Sequence, residues 1–251
     1  VAYGTLFSAL ITSIIFLIYM FWYLSKYTKI IINFAQIFNL KKINNIFNIN
    51  LNIFIRTILL TFSFLWFTYL GTQIGEDFVA ANAILINLVF LSAFILDAYA
   101  FSTEGIVGYS LGKKDLNLFK NIVKNSFILS SISGLIISII FFFTYNLVIN
   151  LMSDINEIRE LSSSYAVWLI ILPVISSFCY QFDGIFIGAS QTKELRNAMI
   201  FSVFSYLLIS ILLIKFLFNT GIWISLCIFM ILRAISLFYY LDKIYLRFRK
   251  N

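Results

Sequence analysis

Seven stretches of the chain, at residues 2–24, 49–70, 78–111, 119–149, 165–189, 198–218 and 222–245, are apolar throughout apart from isolated charges. Each reaches the roughly 20 residues at which an α-helix crosses about 30 Å of hydrocarbon. In lipid every backbone N–H and C=O must be satisfied within the fold, which leaves helices or closed barrels. Barrel strands alternate apolar and polar residues over short segments, whereas these runs are continuous and too long for strands. The expected fold is all-α, a polytopic transmembrane helical bundle. Composition agrees. Of 251 residues 61% are hydrophobic and 12% charged, with a mean hydropathy of +0.97, where a soluble domain carries about 25% charged residues.

A net charge of +7 raises the question of nucleic acid, and the distribution of the charge answers it. Alternate connections carry Lys26, Lys29, Lys41 and Lys42, then Lys113, Lys114, Lys120 and Lys124, then Lys193 and Arg196. The tail adds Lys243, Arg247, Arg249 and Lys250. The opposite connections hold Arg159 and Lys215 beside Glu76, Asp77, Asp154, Glu157 and Glu160. By the positive-inside rule, the basic segment 25–48 and the C-terminus are expected in the cytoplasm of a multi-pass protein of the inner (cytoplasmic) membrane. The basic residues then lie near anionic headgroups, with no nucleic-acid partner required.

Enzymatic chemistry has little to work with. The chain has no histidine, the commonest general base and metal ligand. It also lacks the GxSxG, HExxH and Gly-rich phosphate-loop patterns. Cys179 and Cys227 lie far apart in apolar runs and read as small core residues. No metal site or organic cofactor is expected, and the chain is not read as an enzyme. An intramembrane aspartyl pair, Asp97 with Asp183, has no support from the surrounding sequence.

Charges at membrane depth are the informative residues. Asp97, Glu104 and Asp183 fall within spans, and Arg56 lies in the first turns of another. Each costs at least about 2.5 kcal/mol at the bilayer centre, so each needs a partner, a cavity or a proton. Asp97 and Glu104 are two helical turns apart and share a face. Two readings stand: a structural ionic cluster in which Arg56 pins one or more carboxylates, or carboxylates that bind and release a coupling ion. Pro173 is expected to kink its helix and free a carbonyl near Leu169. Gly184 and Gly188 form a small-xxx-small face for close helix approach. Asn82, Asn87, Tyr99, Tyr180 and Gln181 are polar groups within spans, suited to lining a cavity or to hydrogen bonding between helices.

These same residues carry a resemblance. Ala80-Ala-Asn-Ala-Ile-Leu-Ile-Asn87, Asp97-Ala-Tyr-Ala-Phe-Ser-Thr-Glu104-Gly-Ile-Val-Gly108, Asp183-Gly-Ile-Phe-Ile-Gly-Ala189, Leu195-Arg-Asn-Ala198 and Arg56-Thr57 together resemble the multidrug and toxic compound extrusion (MATE) family. Within it, the chain looks most like the DNA-damage-inducible F-like branch. The resemblance implies twelve helices in two six-helix lobes, joined by a cytoplasmic linker. Residues 1–24 would then be the last helix of the N-terminal lobe, 25–48 the linker and 49–251 the C-terminal lobe. The chain opens at Val1 inside an apolar run and reads as the later part of a longer protein, whose missing N-terminal lobe is its expected partner. The resemblance further implies an antiporter that exports small, often cationic and amphiphilic compounds in exchange for H+ or Na+. Asp183 looks like the carboxylate of the sodium-coupled branch. Two alternatives remain open: a lipid-linked oligosaccharide flippase of the same wider superfamily, and a seven-helix membrane sensor or receptor.

Overall fold

The structure, a computed structural model, describes residues 2–27 and 39–249. Residues 28–38 of the expected linker, with Lys29, and Lys250 of the tail lie outside the described residues. Every regular element among the described residues is helical: α1 (Ala2–Tyr27), α2 (Leu40–Thr72), α3 (Glu76–Lys113), α4 (Leu116–Met152), α5 (Asn156–Ser164), α6 (Val167–Gly188) and α7 (Thr192–Arg249). Six of these, all but α5, are long and apolar enough to cross a membrane. The chain divides into two compact units, Val1–Phe47 and Asn48–Asn251.

In the first unit α1 is apolar and exposed along its described length. Tyr19, Trp22 and Tyr23 stack near its C-terminal end, with the Lys26 ammonium 5.8 Å from the Trp22 ring. Such aromatic and basic groups anchor a helix end at the lipid–water boundary. α2 begins earlier than the sequence reading placed it. Asn39 accepts from the backbone N–H groups of Lys41 (3.0 Å) and Lys42 (3.4 Å), an N-cap that starts the helix inside the segment expected to be linker.

The second unit is a bundle whose crossings alternate in direction. Asn52 pairs with Arg196 and Trp66 with Ser210, each 144 positions apart, so α2 runs parallel to the first part of α7. Ser133 of α4 donates to the Tyr99 hydroxyl of α3 (2.8 Å), and Ser138 of α4 to the Ile170 carbonyl of α6 (2.6 Å). That second bond satisfies a carbonyl one residue from the Leu169 group that Pro173 leaves without a donor. Between α4 and α6 lies α5, a short polar helix that the hydrophobic pattern did not announce. Arg159 holds it down by donating to the backbone carbonyls of Ser153 (2.5 Å) and Asn150 (3.0 Å) at the end of α4. Those are carbonyls that a helix C-terminus leaves unpaired.

At 58 residues, α7 would be about 87 Å long if straight, nearly three times the hydrocarbon thickness. It turns back at Phe218, whose φ of 48° and ψ of −130° are not helical. The two arms, 192–217 and 219–249, pair in antiparallel register. Gly221 meets Leu213, the Tyr206 and Phe229 rings lie 5.2 Å apart, and Lys243 bonds Glu194 at 3.0 Å. The one long helix therefore supplies the two separate spans expected from sequence. Phe218 sits in the geometry that the first central residue of a type II′ turn adopts, where glycine is at home and a side chain is strained. Its ring is exposed, so little packing depends on it. Phe218→Gly should raise the thermal midpoint in detergent, by about 1 kcal/mol of relieved strain. A midpoint that falls would show that the turn is not strained.

Apolar packing forms two clusters. One gathers Phe67, Leu85, Leu96, Leu172, Trp223 and Phe229; the other, nearer the basic end, gathers Val107, Phe119, Ile185, Phe186, Leu237 and Ile244. Asp183 and Arg233 lie along their helices between residues of the first cluster (Tyr180, Met230) and residues of the second (Ile185, Leu237).

Candidate functional site

Three charged side chains from three helices converge at this boundary. Arg56 of α2 and Arg233 of the second α7 arm each donate through Nη2 to the same Oδ2 of Asp183 on α6, Arg233 at 2.7 Å. Asp183 is 7% exposed and Arg233 1%. Arg233 is further held by its own helix: Nη1 lies 3.4 Å from the Met230 sulfur, and the guanidinium sits 5.4 Å from the Phe229 ring centroid, within cation–π range. The Asp183 Oδ1 and Arg56 Nε atoms are buried without a hydrogen-bond partner among the described residues. Two guanidiniums on one carboxylate leave an excess of positive charge at this depth.

Asp97 of α3 lies within electrostatic reach of all three. It is partly buried, and among the described residues it forms no ion pair. Glu104, two turns further on, is also partly buried but stands outside the cluster. Its backbone abuts Gly188 of α6. Arg56 therefore pins Asp183 and not Glu104, and the face shared by Asp97 and Glu104 serves two different surroundings.

Close approach of α3 and α6 is made by glycine. A Cβ at Gly184 would run into the Ala100 backbone, 2.9 Å from its carbonyl carbon, and one at Gly188 would meet Glu104 Cα at 2.9 Å. The same device recurs where Gly134 of α4 faces the Pro173 carbonyl at 2.9 Å. Backbones at this separation carry the Asp97 and Asp183 helices side by side.

The polar residues of the spans divide by partner. Gln181 is fully buried and accepts from Thr103 of α3 at 3.0 Å, while its Nε2 has no partner among the described residues. Tyr180 is 8% exposed and lies in the electrostatic reach of Arg233, Asp97 and Asp183. Tyr99 bonds Ser133. Asn82 belongs elsewhere, at the end away from the basic residues. It exchanges hydrogen bonds with Asn219 (2.6 and 3.1 Å) and accepts from the Trp223 indole at 2.9 Å. Asn87 is exposed, and with Asn82 it borders a cavity of about 210 Å³ between α2 and α3. At the opposite end Asn52 joins Arg196 (2.8 Å) and Thr192 (3.3 Å), tying α2 to α7.

Arg233 is the residue that sequence reasoning passed over. The signal was present, since it is the sole charge between Lys215 and Asp242. With it, the charges at membrane depth are three carboxylates and two guanidiniums.

Comparison with known proteins agrees with this architecture. Residues 53–214 match the MatE family. The chain is 32% identical over 189 residues to the DNA damage-inducible protein F of Escherichia coli K12, covering 75% of this chain and 41% of that protein. Among solved structures, a MATE crystallised in complex with MaD3S superposes over 100% of this chain and 56% of its own, with a TM-score of 0.85 at 16% identity. The Vibrio cholerae MATE transporter VcmN in its bent form covers 86% of this chain and 49% of its own, with a TM-score of 0.74 at 18% identity. The chain thus spans less than half of the curated relative and about half of these structures, and it belongs to the MatE family.

Proposed function

We propose that this chain is the C-terminal portion of a secondary active antiporter that exports small organic, often cationic and amphiphilic, compounds in exchange for H+ or Na+. In this reading residues 1–24 close the N-terminal lobe, 25–48 link the lobes and 49–251 form the second lobe. The basic ends of the helices and the C-terminus face the cytoplasm. The two lobes rock about a central pathway in alternating access, and the coupling ion biases the two states.

The observation that carries the reading is Asp97, a partly buried carboxylate without an ion pair beside a fully engaged charge cluster. Asp183 has two cations as standing partners, whereas Asp97 has a field from them and, among the described residues, no ion pair. Desolvation disfavours the charged form of a carboxylate, so such a group is suited to exchange a proton or a small cation. Arg56 and Arg233 do not favour the flippase alternative, since both guanidiniums are spent on Asp183 and not offered to a pyrophosphate.

The test is energy-dependent efflux of a cationic dye from pump-deficient cells that express the full-length parent protein. Asp97→Asn should abolish efflux while membrane protein levels stay normal. Efflux at the parental rate would remove Asp97 from coupling. Failure of the parent itself to export any cationic dye, despite good expression, would turn the reading toward the flippase.

A further inference from the structure

The second unit carries a groove apart from the charge cluster. It lies on the flank of α4, α6 and the second α7 arm, has a volume of about 430 Å³, and is walled by apolar side chains alone. A chain of phenylalanines builds it: Phe127 lies 6.1 Å from Phe178 and 4.8 Å from Phe182, and Phe182 lies 6.3 Å from Phe238. Val123 and Leu241 line it toward the basic end. From Leu241 to Ala234 on α7 it extends about two helical turns, roughly 10 Å.

Beyond that end the surface of α4 becomes cationic. Lys120 stands three residues before Val123 and seven before Phe127, on the same face of α4. Lys124 adjoins Val123. Both lysines are exposed, and neither has an acidic partner among the described residues. Of the acids near this end, Asp115 already accepts from Leu118 N–H at 2.9 Å as the cap of α4, and the exposed Asp242 beside Leu241 offsets only one of the two lysine charges. A second apolar groove, of about 620 Å³ around Ile139, Phe143 and Ile171, lies on stretches of α4 and α6 that carry no lysine or arginine. The helix ends beyond it bear Asp154, Glu157 and Glu160 beside Arg159.

We propose that the phenylalanine groove is a binding site for an anionic phospholipid. One acyl chain lies along Phe127, Phe182 and Phe238, and the phosphate rests at Lys120 and Lys124. Charge complementarity selects this occupant. A zwitterionic lipid fills the apolar wall equally well and brings the same phosphate, but its headgroup ammonium adds another cation beside the two lysines, and a peptide would find no polar partner for its backbone there. The larger groove, similar in its apolar wall but without a cationic mouth, is an internal contrast that has no reason to prefer one headgroup.

The experiment reconstitutes the full-length protein into phosphatidylcholine bilayers containing a minority of phosphatidylglycerol. It then counts the lipids retained after gentle detergent extraction by native mass spectrometry. The parent should retain phosphatidylglycerol in excess of its share of the bilayer. Lys120→Gln with Lys124→Gln should reduce that excess, by about fivefold per lysine, at an unchanged thermal midpoint. Ile235→Trp, which fills the groove from an exposed position, should lower retention with both lysines in place. Lys215→Gln at the opposite end should change nothing. Equal retention of the two lipids by the parent, or an undiminished excess in the double lysine variant, would overturn the site. Indifference to Ile235→Trp would overturn the groove as the seat of the acyl chain.

Discussion

Replacing Asp183 with asparagine should cost the protein far more than replacing Arg233 with methionine. The asymmetry follows from two cations sharing one anion. Asp183→Asn leaves Arg56 and Arg233 facing each other at depth, with only Asp97, which pairs with neither, to offset their charge. An uncompensated buried charge costs about 3–5 kcal/mol. Arg233→Met leaves the Arg56–Asp183 pair intact and puts an apolar chain of similar length against Met230 and Phe229. The expected result is loss of folded, membrane-inserted protein for Asp183→Asn and near-parental yield for Arg233→Met, read by size-exclusion chromatography of detergent extracts. Combining Arg233→Met with Asp183→Asn should recover part of the loss, because one of the two stranded cations is gone. Parental yield of Asp183→Asn would mean that the carboxylate is not the keystone of the cluster. The ordering also bears on function: a transport defect in Asp183→Asn says nothing of coupling unless protein level is measured alongside it, whereas Asp97→Asn leaves the ion pairs untouched.

The second large effect is expected at Gly184. A leucine there must place its Cβ against the Ala100 carbonyl, and neither backbone has room to withdraw without separating α3 from α6. Overpacking of this kind costs about 1–3 kcal/mol when side chains can yield, and more when the obstacle is main chain. Gly184→Leu should abolish the folded monodisperse protein. Gly184→Ala should lower the thermal midpoint by several degrees. Gly105, with nothing within 4 Å of its Cβ position, is the control: Gly105→Ala should be neutral or slightly stabilising through its helix propensity. A Gly184→Leu variant that melts with the parent would show the helices to be further apart than drawn.

The spans were legible because hydrocarbon tolerates so little else, and the seven apolar runs correspond to crossings the helices make. Resemblance to a family was legible in Asp97–Gly108 and Asp183–Ala189, which keep their polar and small residues inside otherwise interchangeable apolar filler. The separation of Asp97 from Glu104 was not. Two turns on one helix share a face, but which of them meets a charged neighbour depends on the residue of α6 lying opposite. Parallel packing sets Ala100 against Gly184 and Glu104 against Gly188, a long-range register that no local pattern encodes. Helix α5 was missed for a similar reason, since its anchor is Arg159 reaching back to α4 carbonyls. Arg233 differs from both: its isolation in an apolar run was visible, and attention to carboxylates hid it.

The charge cluster also orders events during synthesis. Arg56 leaves the ribosome first, Asp183 follows 127 residues later and Arg233 a further 50 after that. A nascent chain that has released α2 to α6 should therefore already be able to form the Arg56–Asp183 pair and carry no stranded cation into the lipid. Arg233 arrives last, on the returning arm of the hairpin, and its entry costs about 2.5–3.5 kcal/mol unless an acceptor is waiting. That acceptor is waiting. The second α7 arm should thus enter the bilayer beside helices already assembled, and its arginine makes its insertion depend on α6 being in place.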